Sequence, residues 1–71
     1  MSDVTPRQKD ILRCFANGLT RNQVAEQLSL SPGTVKTHTQ NVRMRLGAKT
    51  TVHAIAIAFA GGMLGKEDME G

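Results

Sequence analysis

Most residues of this chain that could take part in specific chemistry lie in one segment, 31–47, and they offer hydrogen bonding and positive charge. In a helix over this segment, Val35, Val42 and Leu46 would share one buried face, because they lie at i, i+7 and i+11. The opposite arc would carry donors, acceptors and two positive charges but no acid, on Lys36, Thr37, Gln40, Asn41 and Arg43. A surface of this kind suits the edges of a nucleic-acid groove.

The helix that would position these groups has marked ends. Ser31 can accept hydrogen bonds from the first backbone amides, and Pro32 suits the first helical position. Gly47 can adopt the left-handed conformation that ends a helix. The sequence therefore predicts a bounded helix over residues 32–46, packed on one side and exposed on the other.

The charge distribution favours an anionic partner but does not by itself require one. The formal net charge is +3, and no acidic residue occurs between Glu26 and Glu67. Four basic residues fall in this gap: Lys36, Arg43, Arg45 and Lys49. A phosphate backbone would be attracted to them, whereas a solvated basic surface would explain the same charges without any partner.

The sequence argues against an enzyme and against a metal protein. Cys14 is the only cysteine and is expected to pack in the core, so no intrachain disulfide or cysteine metal cluster can form. His38 and His53 are the only histidines, and no acid is placed to complete a metal site with them. No nucleophile lies next to a base, so we expect no catalytic residues, cofactor, metal or small-molecule ligand.

The sequence also predicts no membrane segment. The N-terminus has no apolar signal segment, and the longest apolar run, 54–60, is far shorter than the roughly 20 residues that span a bilayer. We therefore expect a cytoplasmic protein.

Four helices are predicted, near residues 6–17, 21–28, 32–46 and 51–60, and no strand pattern occurs. Capping boxes that begin at Thr5 and Thr20 start the first two helices, and Thr50 or Thr51 can cap the fourth. The second and third helices, joined by a short turn, make a helix-turn-helix.

The predicted architecture is all-α. A four-helix helix-turn-helix domain without a wing would occupy residues 1–64, and a flexible acidic tail would occupy 65–71.

Three separate blocks of this sequence resemble the LuxR/GerE-type DNA-binding domain, in order and in spacing over about residues 4–64. The blocks are Val4-Thr5-Pro6-Arg7, Gly18-Leu19-Thr20-Arg21-Asn22-Gln23-Val24-Ala25, and Ser31-x-x-Thr34-Val35-Lys36-x-His38 ending in Leu46-Gly47. The resemblance implies that the third helix enters the major groove of DNA and that the fourth helix forms a dimer contact. The chain would be either a free-standing regulator of the GerE kind or a segment excised from a larger regulator, and the initiator methionine close to the first block and the acidic tail favour the former.

The resemblance also implies roles for individual residues. Lys36, Thr37 and Gln40 match positions that face base edges, where lysine can donate to guanine and glutamine can pair with adenine. Phosphate contacts are expected from Asn22, Thr34, Arg45, Thr50 and Thr51. Further DNA contacts are expected from His38, Asn41, Arg43 and Lys49.

The fourth helix has more apolar surface than a three-helix core requires, which favours a homodimer formed through Val52, Ile55, Ala58 and Phe59. We therefore expect a bacterial or phage transcriptional regulator, associated with the nucleoid. It would bind an inverted-repeat-like site on double-stranded DNA as a homodimer, with RNA polymerase as a further partner.

An alternative function uses the same fold without sequence-specific DNA binding. The chain would then be a protein-interaction module that binds another regulator or RNA polymerase, as an anti-regulator or in the manner of region four of a sigma factor. The sigma factor is the nearest rival because it also contains a capped helix-turn-helix. His38 and the segment from Gly47 through the fourth helix favour the LuxR/GerE type.

Overall fold

The computed structural model describes residues 4–69, which form four α-helices and one short 3-10 helix. The α-helices are α1 (Pro6–Ala16), α2 (Arg21–Leu28), α3 (Pro32–Leu46) and α4 (Thr51–Ala60), and the 3-10 helix spans Lys66–Asp68. Residues 4–69 contain no strand. The all-α prediction is confirmed, and α1 ends one residue earlier than predicted because Asn17 is its C-cap.

Each α-helix begins at a side chain that accepts a hydrogen bond from a backbone amide of its first turn. The Thr5 hydroxyl accepts from the amide of Gln8 at 3.1 Å, and the Gln8 side chain accepts from the Thr5 amide at 3.1 Å. Thr20 and Gln23 repeat this arrangement at the start of α2. Ser31 caps α3 and Thr50 caps α4 in the simpler, one-way form.

Two hydrophobic clusters make up the core, and α3 contributes to both. The first cluster joins α1, α2 and the beginning of α3, through Ile11, Cys14, Val24, Ala25 and Val35. The second joins α1, the later part of α3, α4 and the segment after it, through Leu12, Val42, Ala54, Ala58 and Leu64. Because Val35 and Val42 are both 0% exposed, α3 is held at two points along its length and its rotation about its own axis is fixed.

One predicted dimer contact is wrong. Ala58 is 0% exposed and lies in the second cluster, so it has no surface to present to another copy of the chain. Ile55 is half-buried against the same cluster, whereas Val52 and Phe59 are exposed. The other exposed residues of α4 are His53, Ala56 and Ala60.

Of the segment predicted as a flexible tail, residues 65–69 are described, and Asp68 within it is joined to α1 and to the C-cap of α1. The Asn17 side-chain amide donates to the carbonyl oxygen of Asp68 at 2.9 Å, and Arg13 forms an ion pair with the Asp68 carboxylate at 3.5 Å. Inside the segment, the Gly65 amide donates to the Asp68 carboxylate at 2.9 Å. Glu70 and Gly71 lie outside the described residues.

The hydrogen bond from the Gly65 amide holds the pKa of Asp68 below its ordinary value. Partial burial opposes this effect, and the positive charges of Lys9 and Arg13 add to it. The ionised form of Asp68 is therefore the one that fastens the segment to α1.

Candidate nucleic-acid interface

The side of α3 that faces away from both clusters forms an exposed polar surface. We call it the outer surface of α3, and its residues are Thr37, Gln40, Asn41 and Met44, all exposed. Since a helix turns once in about 3.6 residues, these positions lie opposite the buried Val35 and Val42. Thr37, Gln40 and Asn41 were predicted from sequence as DNA contacts, whereas Met44 was not.

The hydroxyl of Thr37 already makes one hydrogen bond inside α3. Its hydroxyl donates to the carbonyl oxygen of Gly33 at 3.1 Å. The side chain therefore offers an external partner only its methyl group and the lone pairs of its oxygen. The nearby Thr39 hydroxyl is tied in the same way to the carbonyl oxygen of Val35, at 2.8 Å.

One side of α3, which we call the first flank (Lys36, Thr39 and Arg43), borders a concavity of about 340 Å³. The concavity is lined by residues of all four helices: Phe15, Arg21, Lys36, Thr39, Gln40, Arg43 and Thr51. It brings two predicted base contacts, Lys36 and Gln40, to the predicted phosphate contact Thr51. Three basic side chains around a hydroxyl make a surface that fits an anionic group such as a backbone phosphate.

Arg21 lines this concavity and was not predicted from the sequence as a functional residue. It is the first residue of α2, directly after the Thr20 cap, and it is exposed. A basic side chain at a helix start does not by itself indicate a binding site. Arg21 lies beside Lys36 only because α2 packs on α3, and the sequence does not show this packing. Asn22, the predicted phosphate contact next to it, is exposed but does not line the concavity.

The opposite side of α3, the second flank, consists of Thr34, His38 and Arg45. The Thr34 and Arg45 side chains are exposed, whereas His38 is half-buried. The hydroxyls of Thr34 and Ser31 lie 2.8 Å apart at the beginning of the helix. Nδ1 of His38 is buried without a hydrogen-bond partner, so any polar contact with an external group would use Nε2.

The predicted phosphate contacts therefore divide between the two sides of α3. Thr51 lies with Lys36 on the first flank, whereas Thr34 and Arg45 lie on the second. A helix inserted in a groove has one sugar-phosphate strand on each side, so this division matches the geometry of such a groove.

The loop between α3 and α4 is held by side-chain contacts. Nη2 of Arg43 donates to the carbonyl oxygen of Lys49 at 2.7 Å, and the Lys49 amide donates to Nδ1 of His53 at 3.1 Å. The His53 amide in turn donates to the Thr50 hydroxyl at 3.0 Å. These contacts fix the beginning of α4, where Thr50 and Thr51 lie. Arg43 thus has a structural contact in addition to its predicted role in DNA binding.

The structure carries a second exposed surface on α4. Val52 is 76% exposed and Phe59 is 36% exposed, and with Ala56 they lie at i, i+4 and i+7 along the helix. These three residues form what we call the α4 face. It is apolar, and all three of its residues are exposed.

Residues 4–69 contain neither a helix that could span a membrane nor a cluster of metal-binding side chains. None of the helices within residues 4–69 has the length and apolar content needed to cross a membrane. Over the same residues, no group of three or more histidine, cysteine, aspartate or glutamate side chains is arranged to hold a metal ion.

Comparison with known proteins identifies a family. Residues 2–58 match the sequence model of a family described as bacterial regulatory proteins, luxR family. The chain is 36% identical over 67 residues to the HTH-type quorum sensing-dependent transcriptional regulator VjbR of Brucella ovis, covering 94% of this chain and 26% of that protein. It is 35% identical over 63 residues to the transcriptional regulatory protein MctR of Rhizobium johnstonii, covering 89% of this chain and 29% of that protein.

A third relative is also named as a transcriptional regulatory protein. The transcriptional regulatory protein FixJ of Rhizobium meliloti is 32% identical over 62 residues, covering 87% of this chain and 30% of that protein. The chain therefore spans less than a third of the length of these relatives.

Proposed function

Because this chain belongs to the luxR family of bacterial regulatory proteins, we propose that it is a transcriptional regulator that binds specific sequences of double-stranded DNA. The family resemblance seen in the sequence is confirmed, and the expectation that the chain is not an enzyme agrees with this membership. Its site of action would be the bacterial cytoplasm, at the nucleoid.

The observation that carries this proposal is the arrangement of charge around α3. The helix has no acidic residue, its outer surface is exposed, and basic side chains lie on both flanks. Lys36, Arg43 and the neighbouring Arg21 lie on one side, and Arg45 lies on the other. This arrangement would place α3 in a major groove between two phosphate strands, with counterion release contributing to affinity.

Within the groove, the exposed side chains would have different roles. Lys36 would donate to a guanine, and Gln40 would form paired hydrogen bonds with an adenine. Thr37 would act through its methyl group or as an acceptor, since its hydroxyl donates to Gly33. Asn22, Thr34, Arg45, Thr50 and Thr51 would contact phosphate, with further contacts from His38, Asn41, Arg43 and Lys49.

Selection of bound sequences from a random duplex pool, at a stated salt concentration, tests the proposal. We expect the wild-type protein to enrich one motif, and Lys36→Ala to lose the preference at one base pair of that motif. Lys66→Ala is the matched control, because it removes an exposed lysine outside the proposed interface. Failure of the wild-type protein to enrich any motif would overturn sequence-specific binding and would favour the interaction-module alternative.

The active form would be a homodimer joined through the α4 face. Val52, Ala56 and Phe59 replace the set expected from sequence, since Ala58 is buried, and Ile55 would lie at the margin. Two copies related by twofold symmetry would place their α3 helices about one turn of DNA apart, so the preferred site would be close to an inverted repeat.

Sedimentation on the selected duplex tests the dimer. Val52→Glu should convert two bound copies to one, because it places a charge on the α4 face. Met69→Glu is the matched control, since Met69 is also exposed but lies outside α4. A wild-type protein that remains monomeric on DNA at high micromolar concentration would overturn the dimer.

The α4 face also supports a second function, which is binding to another protein. An exposed apolar helix surface could instead bind RNA polymerase or another regulator. In that case Val52→Glu would abolish binding to that protein while leaving DNA binding by the single copy unchanged.

A further inference from the structure

Met44 stands out on α3 because it is a large apolar side chain on a surface that is otherwise polar. It is 80% exposed, the highest value among the exposed large hydrophobic residues described. It lies seven residues after Thr37 and four after Gln40, so it continues the outer surface of α3 toward the end of the helix.

Met44 lies between two basic side chains around the circumference of α3. Its sequence neighbours Arg43 and Arg45 lie on the first and second flanks, because each is rotated by about 100° from it in opposite directions. If Arg43 and Arg45 face the two phosphate strands, the side chain between them faces the base edges. An apolar group in that position meets one apolar feature of the major groove, the C5 methyl group of thymine.

The spacing along α3 agrees with this role. A helix rises about 1.5 Å per residue, so Met44 lies about 6 Å beyond Gln40. Base pairs are stacked at about 3.4 Å, and this offset corresponds to roughly two base pairs. The unbranched side chain of methionine is long and flexible enough to adapt to a methyl group at that distance.

We propose that Met44 is a specificity-determining residue that contacts the C5 methyl group of a thymine in the target site. This inference rests on the proposed function, because it requires α3 to lie in the major groove. Thr37 supports it, since its hydroxyl donates to Gly33 and its methyl group remains available for the same kind of contact. The outer surface of α3 thus combines hydrogen bonding by Gln40 with apolar contact by Met44.

The test uses the duplex enriched by the wild-type protein, with each thymine replaced in turn by deoxyuridine. This replacement removes only the methyl group and keeps base pairing. At one thymine or more, the wild-type protein should lose about fourfold in affinity, the effect of one methyl-sized apolar contact. Met44→Ala should bind the unmodified duplex about fourfold more weakly, and deoxyuridine at the same position should cause no further loss.

Two matched variants complete the experiment. Met44→Gln keeps the length of the side chain but not its apolar character, so it too should be insensitive to deoxyuridine at that position. Met69→Ala removes another exposed methionine and should keep the full wild-type response. Circular dichroism should show the same helix content for all variants, because both positions are exposed.

The possible failures are distinguishable. If the wild-type protein binds the selected and random duplexes equally, the proposed function fails. If it prefers the selected duplex but Met44→Ala responds to deoxyuridine as the wild-type does at every thymine, only the role of Met44 is overturned. A selected site at which no deoxyuridine replacement weakens wild-type binding also overturns that role.

Discussion

Arg43 and Lys49 are joined by a hydrogen bond of 2.7 Å, from Nη2 of the guanidinium to the backbone carbonyl oxygen. The contact connects the last part of α3 to the loop that precedes α4. It links the helix proposed to contact bases with the helix start proposed to contact phosphate. The positions of Thr50 and Thr51 relative to α3 therefore depend partly on one side chain.

We predict that Arg43→Ala will lower the free energy of unfolding by about 1–2 kcal/mol, because it removes this hydrogen bond and the packing of a half-buried side chain. Urea denaturation followed by circular dichroism measures the change. Arg43→Lys keeps the charge and serves as the matched variant. Equal stability of Arg43→Ala and wild-type would show that the contact does not hold the loop.

Replacement of Lys36 should affect specific binding more than general binding. Lys36→Ala is expected to cost about 1–3 kcal/mol on the selected duplex and to relax the preference at one base pair. Competition between selected and random duplexes measures both effects. An equal loss on the two duplexes would assign Lys36 to phosphate instead of to a base.

Replacement of Arg45 should have the opposite pattern. Because Arg45 is expected to contact phosphate, Arg45→Ala should weaken binding to selected and random DNA similarly. It should also reduce the slope of log affinity against log salt by about one unit. The measurement is a salt titration of both duplexes, and an unchanged slope would contradict the phosphate contact.

The segment after α4 should make the stability of the fold depend on acid pH. The folded-state pKa of Asp68 lies below its ordinary value of 3.8, so its ionised form stabilises the folded chain. This contribution is fully present well above pH 3.8 and is lost as the pH falls through the lower folded-state pKa. Asp68→Asn should therefore be less stable than wild-type at neutral pH, and the difference should shrink in acid.

Thermal unfolding from neutral pH to strongly acidic pH measures this dependence. Glu67→Gln removes the same formal charge from an exposed neighbouring side chain and should cause a smaller loss. A difference between Asp68→Asn and wild-type that stays constant across the whole range would rule out the charge of Asp68 as its cause.

The helices could be predicted from sequence because their signals are local. Thr5, Thr20 and Ser31 each cap a helix through an amide three residues later, and these spacings are visible in the sequence. The orientation of α3 was also predictable, since Val35 and Val42 are buried as their spacing indicates. Thr50, one of two candidates, proved to be the cap of α4.

The face of α4 could not be predicted in the same way. Residues 54–60 are all apolar, so no polar stripe distinguishes the side that packs from the side that is exposed. Ala58 was therefore assigned to a surface although it is buried, and the exposed Ala56 was missed.

Contacts between distant parts of the chain could not be predicted from the sequence either. The hydrogen bond from Asn17 to Asp68 joins residues 51 positions apart, and no local pattern indicates it. Arg21 reaches the concavity beside Lys36 only because α2 packs on α3. The acidic residues near the end of the chain instead suggested a solvated tail.

The attachment of α3 to both hydrophobic clusters separates the residues that support the helix from those that would choose its target. Val35 and Val42 set the orientation, whereas Thr37, Gln40 and Met44 are exposed and take no part in either cluster. Substitutions at these exposed positions should therefore leave the framework intact. Natural evolution or protein engineering could therefore change the DNA sequence that such a domain binds by substituting a few surface side chains, without a compensating mutation to restore stability.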